Sequence, residues 1–322
     1  MESPLRALPP RLLASLLAVS STACFAHQFR TKPRVAVVDG DPIVQMKPAS
    51  KVASLVEPRF VRVGEHTDPP APWEPIVGVP ASGSPRGYPV GLLDRYEVVD
   101  VAVKGSSYVV ARCALTQISA VYDRVVGGRT LTFVNSGALW RDTLVLRDLE
   151  TGTLWSAANG RALYGPLEGE RLRALPAILG TSRAWNETFP DALCLDTGET
   201  TERPLMMSLY SASPWQGISG ARTEDGRYEP KTEVFTVAEG SEALAFTEEE
   251  LKKLGPVRRS LAGRPVSLEW DTELAAPRAF RLDDGCAELA IVPMYWFAAD
   301  RHFETVRTAF DAGASSAALS SR

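Results

Sequence analysis

Asp142-Thr-Leu-Val-Leu-Arg-Asp148-Leu-Glu-Thr-Gly-Thr-Leu-Trp155-Ser156 reads as two strands folded about a tight turn. Residues 143–146 are rich in strand-forming side chains, Glu150-Thr151-Gly152 supplies the turn, and residues 153–156 return the chain. The same rhythm extends outward through short runs at 76–79, 98–103, 108–111, 120–122 and 130–134, with Gly127-Gly128 turning the chain before the last of them. With 24 Gly and 24 Pro in 322 residues, short strands and turns are favoured over long helices. Two short helices are expected. One covers 182–189, capped by Thr181 or Ser182 and ended by Pro190; the other covers 247–254, where Thr247 and Glu250 form a capping box and Gly255-Pro256 stops the turn. The expected fold class is therefore mainly β with short helices, a β-rich α+β protein.

Composition narrows the class further. Apolar residues at 45% and charged residues at 23% are those of a folded globular body rather than a disordered chain or a membrane bundle. A net charge of -4 provides no footprint for phosphate backbones, so nucleic acid is not an expected partner. The N-terminus reads as an address: Arg6 and Arg11 flank an apolar run from residue 12 that passes into small residues, the grammar of a secretory signal peptide. Two processing sites compete. Ser21-Thr22-Ala23-Cys24 is similar to a relaxed lipobox with Cys24 as the lipidated residue, while Cys24-Phe25-Ala26 suits ordinary cleavage after residue 26. Either outcome places the protein outside the cytoplasm, periplasmic or membrane-anchored through the lipid alone. Cys113, Cys194 and Cys286 remain after processing, an odd number that allows at most one disulfide. Their spacing matches no zinc site, and His27, His66 and His302 are the only histidines, so no metal is expected.

Sliding the chain against itself by 158 residues reveals a repeat. Pro72 meets Pro230, Leu93 meets Leu251, Val99 meets Val257, Gly105 meets Gly263, Gly127 meets Gly285 and Leu131 meets Leu289. Only eight of the 63 positions from 72 to 134 are identical, so the reading rests on glycines and apolar patches falling in register; the alternative is two similar hairpin-rich segments. Past Val134 the best offset drops to 114, which aligns 296–303 with 182–189 and leaves the second copy without 44 residues, roughly 135–178. The implied organisation is a signal peptide at 1–23 (or to 26), a tether and irregular lead-in at 24–71, a first repeat at 72–196, a connecting segment at 197–229, a shortened second repeat at 230–311 and a disordered tail at 312–322.

The quoted hairpin continues as Ala-Ala-Asn159-Gly160-Arg-Ala162 and Tyr164-Gly165-Pro166-Leu167-Glu168-Gly169. This order of a strand, a Thr-Gly turn, a Leu-Trp-Ser step, a Gly-x-Ala step and a Gly-Pro-Leu-x-Gly turn resembles the core of the bacterial family called domain of unknown function 3179. The Gly87-Tyr88-Pro89 step and the Trp185 region followed by Phe189-Pro190-Asp191 are similar to it as well. The resemblance implies an exported bacterial protein and carries no reaction or cofactor. Members often hold a Cys-Pro-Leu-Cys step where this chain has Cys113-Ala114-Leu115-Thr116, so any dithiol chemistry here lacks its second sulfur.

Two functions compete. A binding or scaffold protein of the cell envelope would use a pocket built from residues 135–178, with Trp140, Asp148, Trp155, Ser156, Asn159, Gly160 and Tyr164 as ligand-binding residues, for a small ligand or an envelope protein. Trp140, Trp155 and Trp185 are large enough to form a stacking wall, although aromatic residues usually serve the core. The alternative is a single-cysteine redox or transfer enzyme with Cys113 as catalytic residue, supported by Asp148, Trp155 and Ser156. Strand parity places Cys113 with Ala111 and Leu115, an apolar face, and Arg112 on the other. Ser156 lacks a nucleophile elbow, and Gly160, Gly165 and Gly169 match no phosphate loop, so no cofactor is expected.

Overall fold

The computed structural model describes residues 29–80, 84–103 and 106–309. The signal segment, Cys24, Gly105 and the tail at 312–322 lie outside the described residues. Strands outweigh helices, 43% to 16%, so the protein is mainly β with short helices.

The first half contains a five-stranded sheet in the order Ile178–Thr181, Pro75–Val79, Arg86–Pro89, Leu193–Leu195, Phe60–Arg62. Its partner is a four-stranded sheet, Leu55–Val56, Val98–Val103, Ser106–Cys113, Ile118–Asp123. Helix α1 (Val90–Tyr96) joins the two sheets, and α2 (Ser182–Thr188) joins two strands of the first. Close packing explains the glycines here. A Cβ on Gly78 would stand 2.2 Å from the Trp185 ring of α2, and one on Gly91 would stand 1.7 Å from the Thr201 carbonyl oxygen.

Helix α3 (Leu205–Ala212) leads into the second half. There a four-stranded sheet runs Val292–Tyr295, Glu233–Glu239, Glu242–Phe246, Thr305–Thr308, beside a second in the order Val257–Leu261, Arg264–Asp271, Ala276–Arg281, Ala287–Glu288. Helix α4 (Glu248–Leu254) follows Glu242–Phe246, and α5 (Trp296–His302) follows Val292–Tyr295. In both halves the first sheet has an antiparallel, antiparallel, parallel sequence of neighbours over four strands, and helices fill the same connections. The helix caps have the local chemistry their sequence requires. Thr181 Oγ1 accepts from Ala184 N, and Thr247 with Glu250 forms a reciprocal capping box.

A six-stranded antiparallel sheet completes the fold: Arg34–Val38, Asp41–Gln45, Phe133–Trp140, Thr143–Asp148, Leu154–Ser156, Ala162–Tyr164. It contains the hairpin quoted at the outset and has no counterpart in the second half. Two of its strands come from residues 24–71, read from their prolines as a tether and irregular lead-in. Proline is tolerated there because Pro42 pairs only with Val37, while the ladder to Phe133–Trp140 begins at Ile43.

The largest core cluster draws on both halves, packing Tyr122, Phe133, Leu146 and Trp155 with Met294 and Trp296. The hairpin tip joining Phe133–Trp140 to Thr143–Asp148 holds Arg141 and Asp142 at φ +51° and +63°. Two consecutive left-handed residues match the twist of a two-residue hairpin, though the usual occupants are Asn and Gly. Asp142 offsets the strain through its side chain. Fully buried, it accepts from the backbone N–H groups of Ile218 and Ser219 at 2.8 and 2.7 Å, from Ser219 Oγ at 2.5 Å, and from Arg301 Nη1 of α5 at 2.6 Å. Gly217 passes so close that a Cβ there would meet the carboxylate.

Candidate functional site

A cleft of about 340 Å³ opens where residues 158–174 of the first half face strands Glu233–Glu239 and Ala276–Arg281 of the second. One wall depends on a glycine turn. Gly160 has φ +69°, and any Cβ there would come within 2.9 Å of the Tyr122 ring. That turn fixes Asn159: its Oδ1 accepts from Arg161 N, its Nδ2 donates to the His302 carbonyl at 3.2 Å, and its own carbonyl accepts from Arg171 Nη1 at 2.8 Å. Tyr122, which also lines the cleft, donates its hydroxyl to Ala157 O at 3.0 Å, and burial raises its pKa.

The charged lining consists of Arg171, Arg173, Arg281 and Glu239, three guanidinium groups against one carboxylate. Arg281 pairs with Glu239, and Arg173 with Asp123. Across a bridge from Arg171 lies Arg161, which is itself paired with Asp39 at 2.5 Å. Arg171 stays exposed, but partial desolvation at the cleft lowers its pKa, with Tyr122 opposing the fall and the charge of Arg161 adding to it. The apolar part of the lining includes Leu172, Leu289, Val292 and Phe303. This arrangement favours an anion over a cation or a neutral polar molecule.

Of the residues assigned to ligand binding from sequence, Asn159 lines this cleft and the others lie elsewhere. Trp140 packs with Ile43 and Val145, Trp155 with Phe133 and Leu146, and Trp185 with Ile76 and Ile178, so the three rings belong to separate clusters and form no shared wall. Asp148 is buried inside its own hairpin, accepting from Thr151 N and from Trp155 Nε1 at 2.9 Å. Ser156 is buried with its hydroxyl accepting from Ala158 N. Gly160 forms the turn behind Asn159, and Tyr164 is half exposed. The arginines were not singled out from sequence. Arg171 and Arg173 flank the buried Leu172 in an alternating pattern, a signal that was available, but nothing in the chain forecasts that Arg281 arrives from the other half.

Cys113 ends the strand Ser106–Cys113 and is 1% exposed. Its sulfur accepts from Leu144 N at 3.4 Å and lies 3.9 Å from the Asp142 carbonyl. Burial raises the thiol pKa, and nearby Glu97 adds to the effect. His302 reaches the same hairpin tip from α5, its Nε2 2.6 Å from Thr143 Oγ1. Burial, followed by the charges of Arg141 and Arg301, holds its pKa well below the usual histidine value. Thiol and imidazole are therefore both held neutral, whereas a cysteine nucleophile needs the thiolate. The other described histidine, His66, accepts from Asp68 N at Nδ1 and so donates from Nε2 to Leu195 O. All three described cysteines are free. Among the described residues, no group of His, Cys, Asp and Glu is arranged to hold a metal, and no helix is long and apolar enough to cross a membrane. Cys113 is expected to resist a thiol reagent at neutral pH until the protein unfolds, while exposed Cys286 reacts at once. Fast labelling of Cys113 in the native state, followed by peptide mass analysis, would contradict the sealed geometry.

The fold is that of a mainly β protein with short helices and several sheets. The chain belongs to the family described as "Protein of unknown function (DUF3179)", which matches residues 50–318. No curated protein and no solved structure matches it.

Proposed function

We propose that the protein is an exported binding protein of the cell envelope that holds a small molecule in the cleft between its halves. The observation that carries this reading is the origin of the cleft wall. Residues 158–174 fall within the block 135–178 that has no counterpart in the second half, and they meet the second half at a concavity lined by both charged and apolar groups. Pockets of a few hundred Å³ with a small number of convergent polar groups are typical of ligand sites. The shared strand order of the two halves, together with the 158-residue register, supports descent from one duplicated unit, the first copy having gained or kept the block that builds the wall. Catalysis by Cys113 draws no support from a sealed, neutral thiol. Export rests on the N-terminal sequence: intact-mass analysis should find 23 or 26 residues removed, with a diacylglycerol on Cys24 if the anchor is used, and an unprocessed Met1 rules export out.

The cleft is tested by screening small metabolites for thermal stabilisation of the wild type and of Ala290→Trp, which fills the cleft from a lining position. A ligand at about one hundred times its Kd stabilises the wild type by about 2.7 kcal/mol, and the variant should lose that gain while keeping its circular dichroism. A ligand whose effect survives in Ala290→Trp does not use the cleft.

A further inference from the structure

We infer that the ligand of this cleft is a small organic acid, its carboxylate or phosphate head held by Arg171 and its body by the apolar lining. The inference rests on the reading that the cleft binds a ligand, and it adds the chemical class. Its basis is the ion pairing around the site. Arg173 is matched by Asp123, Arg281 by Glu239 and Arg161 by Asp39. Arg171 alone of these four has no carboxylate among the described residues, and its one protein acceptor is the neutral carbonyl of Asn159. That bond occupies Nη1, and the guanidinium has further N–H donors in a fork that suits two oxygens of one anion. Arg161, across the bridge, has its charge matched by Asp39 and so leaves Arg171 as the one guanidinium here without a carboxylate among the described residues.

The remaining lining restricts the ligand. Glu239 is the one carboxylate in the cleft, and it disfavours a ligand with a second negative group near Arg281. Leu172, Leu289, Val292 and Phe303 offer an apolar contact, and Ala158, Ala174, Ala238 and Ala290 leave room beside them. A volume of about 340 Å³ lies at the small end of ligand pockets, which suits a compact aliphatic or single-ring body. The protein as a whole carries a net charge of -4, so the cationic lining is local.

Titration calorimetry on the purified exported protein decides the matter, with hexanoate, benzoate and phenyl phosphate as acids and hexanamide and benzamide as neutral counterparts of similar shape. The acids should bind and the amides should not, with affinity falling as salt rises. Arg171→Ala should weaken the acids about tenfold or more, and Arg171→Lys, which keeps the charge and loses the fork, should fall between. Because Arg171 is exposed and bonds only one carbonyl, these variants should fold normally by circular dichroism. Comparison of benzoate with phenyl phosphate identifies the head group. If the amides bind as well as the acids, or Arg171→Ala leaves acid affinity unchanged, the anion assignment is wrong. If binding of either class disappears in Ala290→Trp, the cleft itself stands. No binding by any of the five compounds overturns the organic-acid assignment, and if the metabolite screen is also blank, the binding reading fails with it.

Discussion

Replacing Asp142 with alanine is expected to destabilise the protein by about 3 to 5 kcal/mol, because removal of one partner from a buried ion pair leaves the other charge uncompensated. The carboxylate is fully buried and accepts four hydrogen bonds, so the variant strands the Arg301 guanidinium, two backbone N–H groups and the Ser219 hydroxyl together. It also leaves a non-glycine residue at φ +63° without the contacts that hold it there. Asp142→Asn keeps the shape and one acceptor oxygen and should fall between. Urea unfolding followed by tryptophan fluorescence measures both. If Asp142→Ala loses less than about 1 kcal/mol, the ion pair is not the anchor described. Combining Asp142→Ala with Arg301→Met should cost less than the sum of the single changes, since each removes the charge that the other leaves unpaired.

Glu97→Gln is expected to make the protein more stable at pH 8, by about 1 to 3 kcal/mol, and to change little near pH 4.5. Glu97 follows α1 with φ +55°, and its carboxylate accepts from Asn135 Nδ2 at 2.5 Å. Burial raises its pKa from 4.5 to about 7 against the opposing pull of Asn135, with Asp94 reinforcing the rise and Lys47 and Arg112 resisting it. The sign follows from proton binding. Between about pH 4.5 and 7 the folded protein retains a proton that the unfolded chain releases, so stability declines as pH rises through that window. Asp100, raised to about 6 mainly by burial, adds a contribution of the same sign. His302 acts in the opposite sense. Its folded pKa is depressed, so below about pH 6.5 the unfolded chain takes up a proton that the folded protein refuses, and stability falls with acid. Urea midpoints at pH 5, 6, 7 and 8 separate the two: Glu97→Gln should flatten the neutral limb and leave the acid limb intact. An unchanged neutral limb would mean that Glu97 is ionised in the folded protein.

The elements that were legible in sequence are those fixed by local chemistry. Thr247 with Glu250, Thr181 with Ala184, and the Gly127-Gly128 turn act within a few residues, and each is where its own pattern places it. The strands at 98–103 and 143–146, the latter running on to Asp148, could be read because their hydrophobic runs were short and bounded by turn residues. Helix α1 was not, since Val90–Tyr96 follows a proline and its identity depends on packing against Thr201, far along the chain. Arg34–Val38 and Asp41–Gln45 were obscured by prolines whose missing N–H the sheet does not need. The cleft was least legible. Asn159 belongs to the motif, but Arg171, Arg281 and Glu239 acquire meaning only when two distant segments meet, and whether an arginine already has a carboxylate partner is a property of the fold. Trp140 and Trp155 illustrate the converse, since large aromatic side chains are as well suited to a core as to a ligand, and here they are buried.

The bonds made by Asp142 join positions 76, 77 and 159 residues apart, so they close large loops. Contacts of that span reward the chain only after most of its local hairpins have formed, which places them after the main folding barrier. An interaction absent from the transition state governs how fast the native protein comes apart rather than how fast it assembles. The hairpin tip therefore acts as a kinetic lock: Asp142→Ala should steepen loss of the folded protein by raising its unfolding rate, while refolding from urea proceeds at nearly the wild-type pace. For a protein proposed to act outside the cytoplasm, resistance to proteolysis over long times depends on that unfolding rate when cleavage outpaces reclosing.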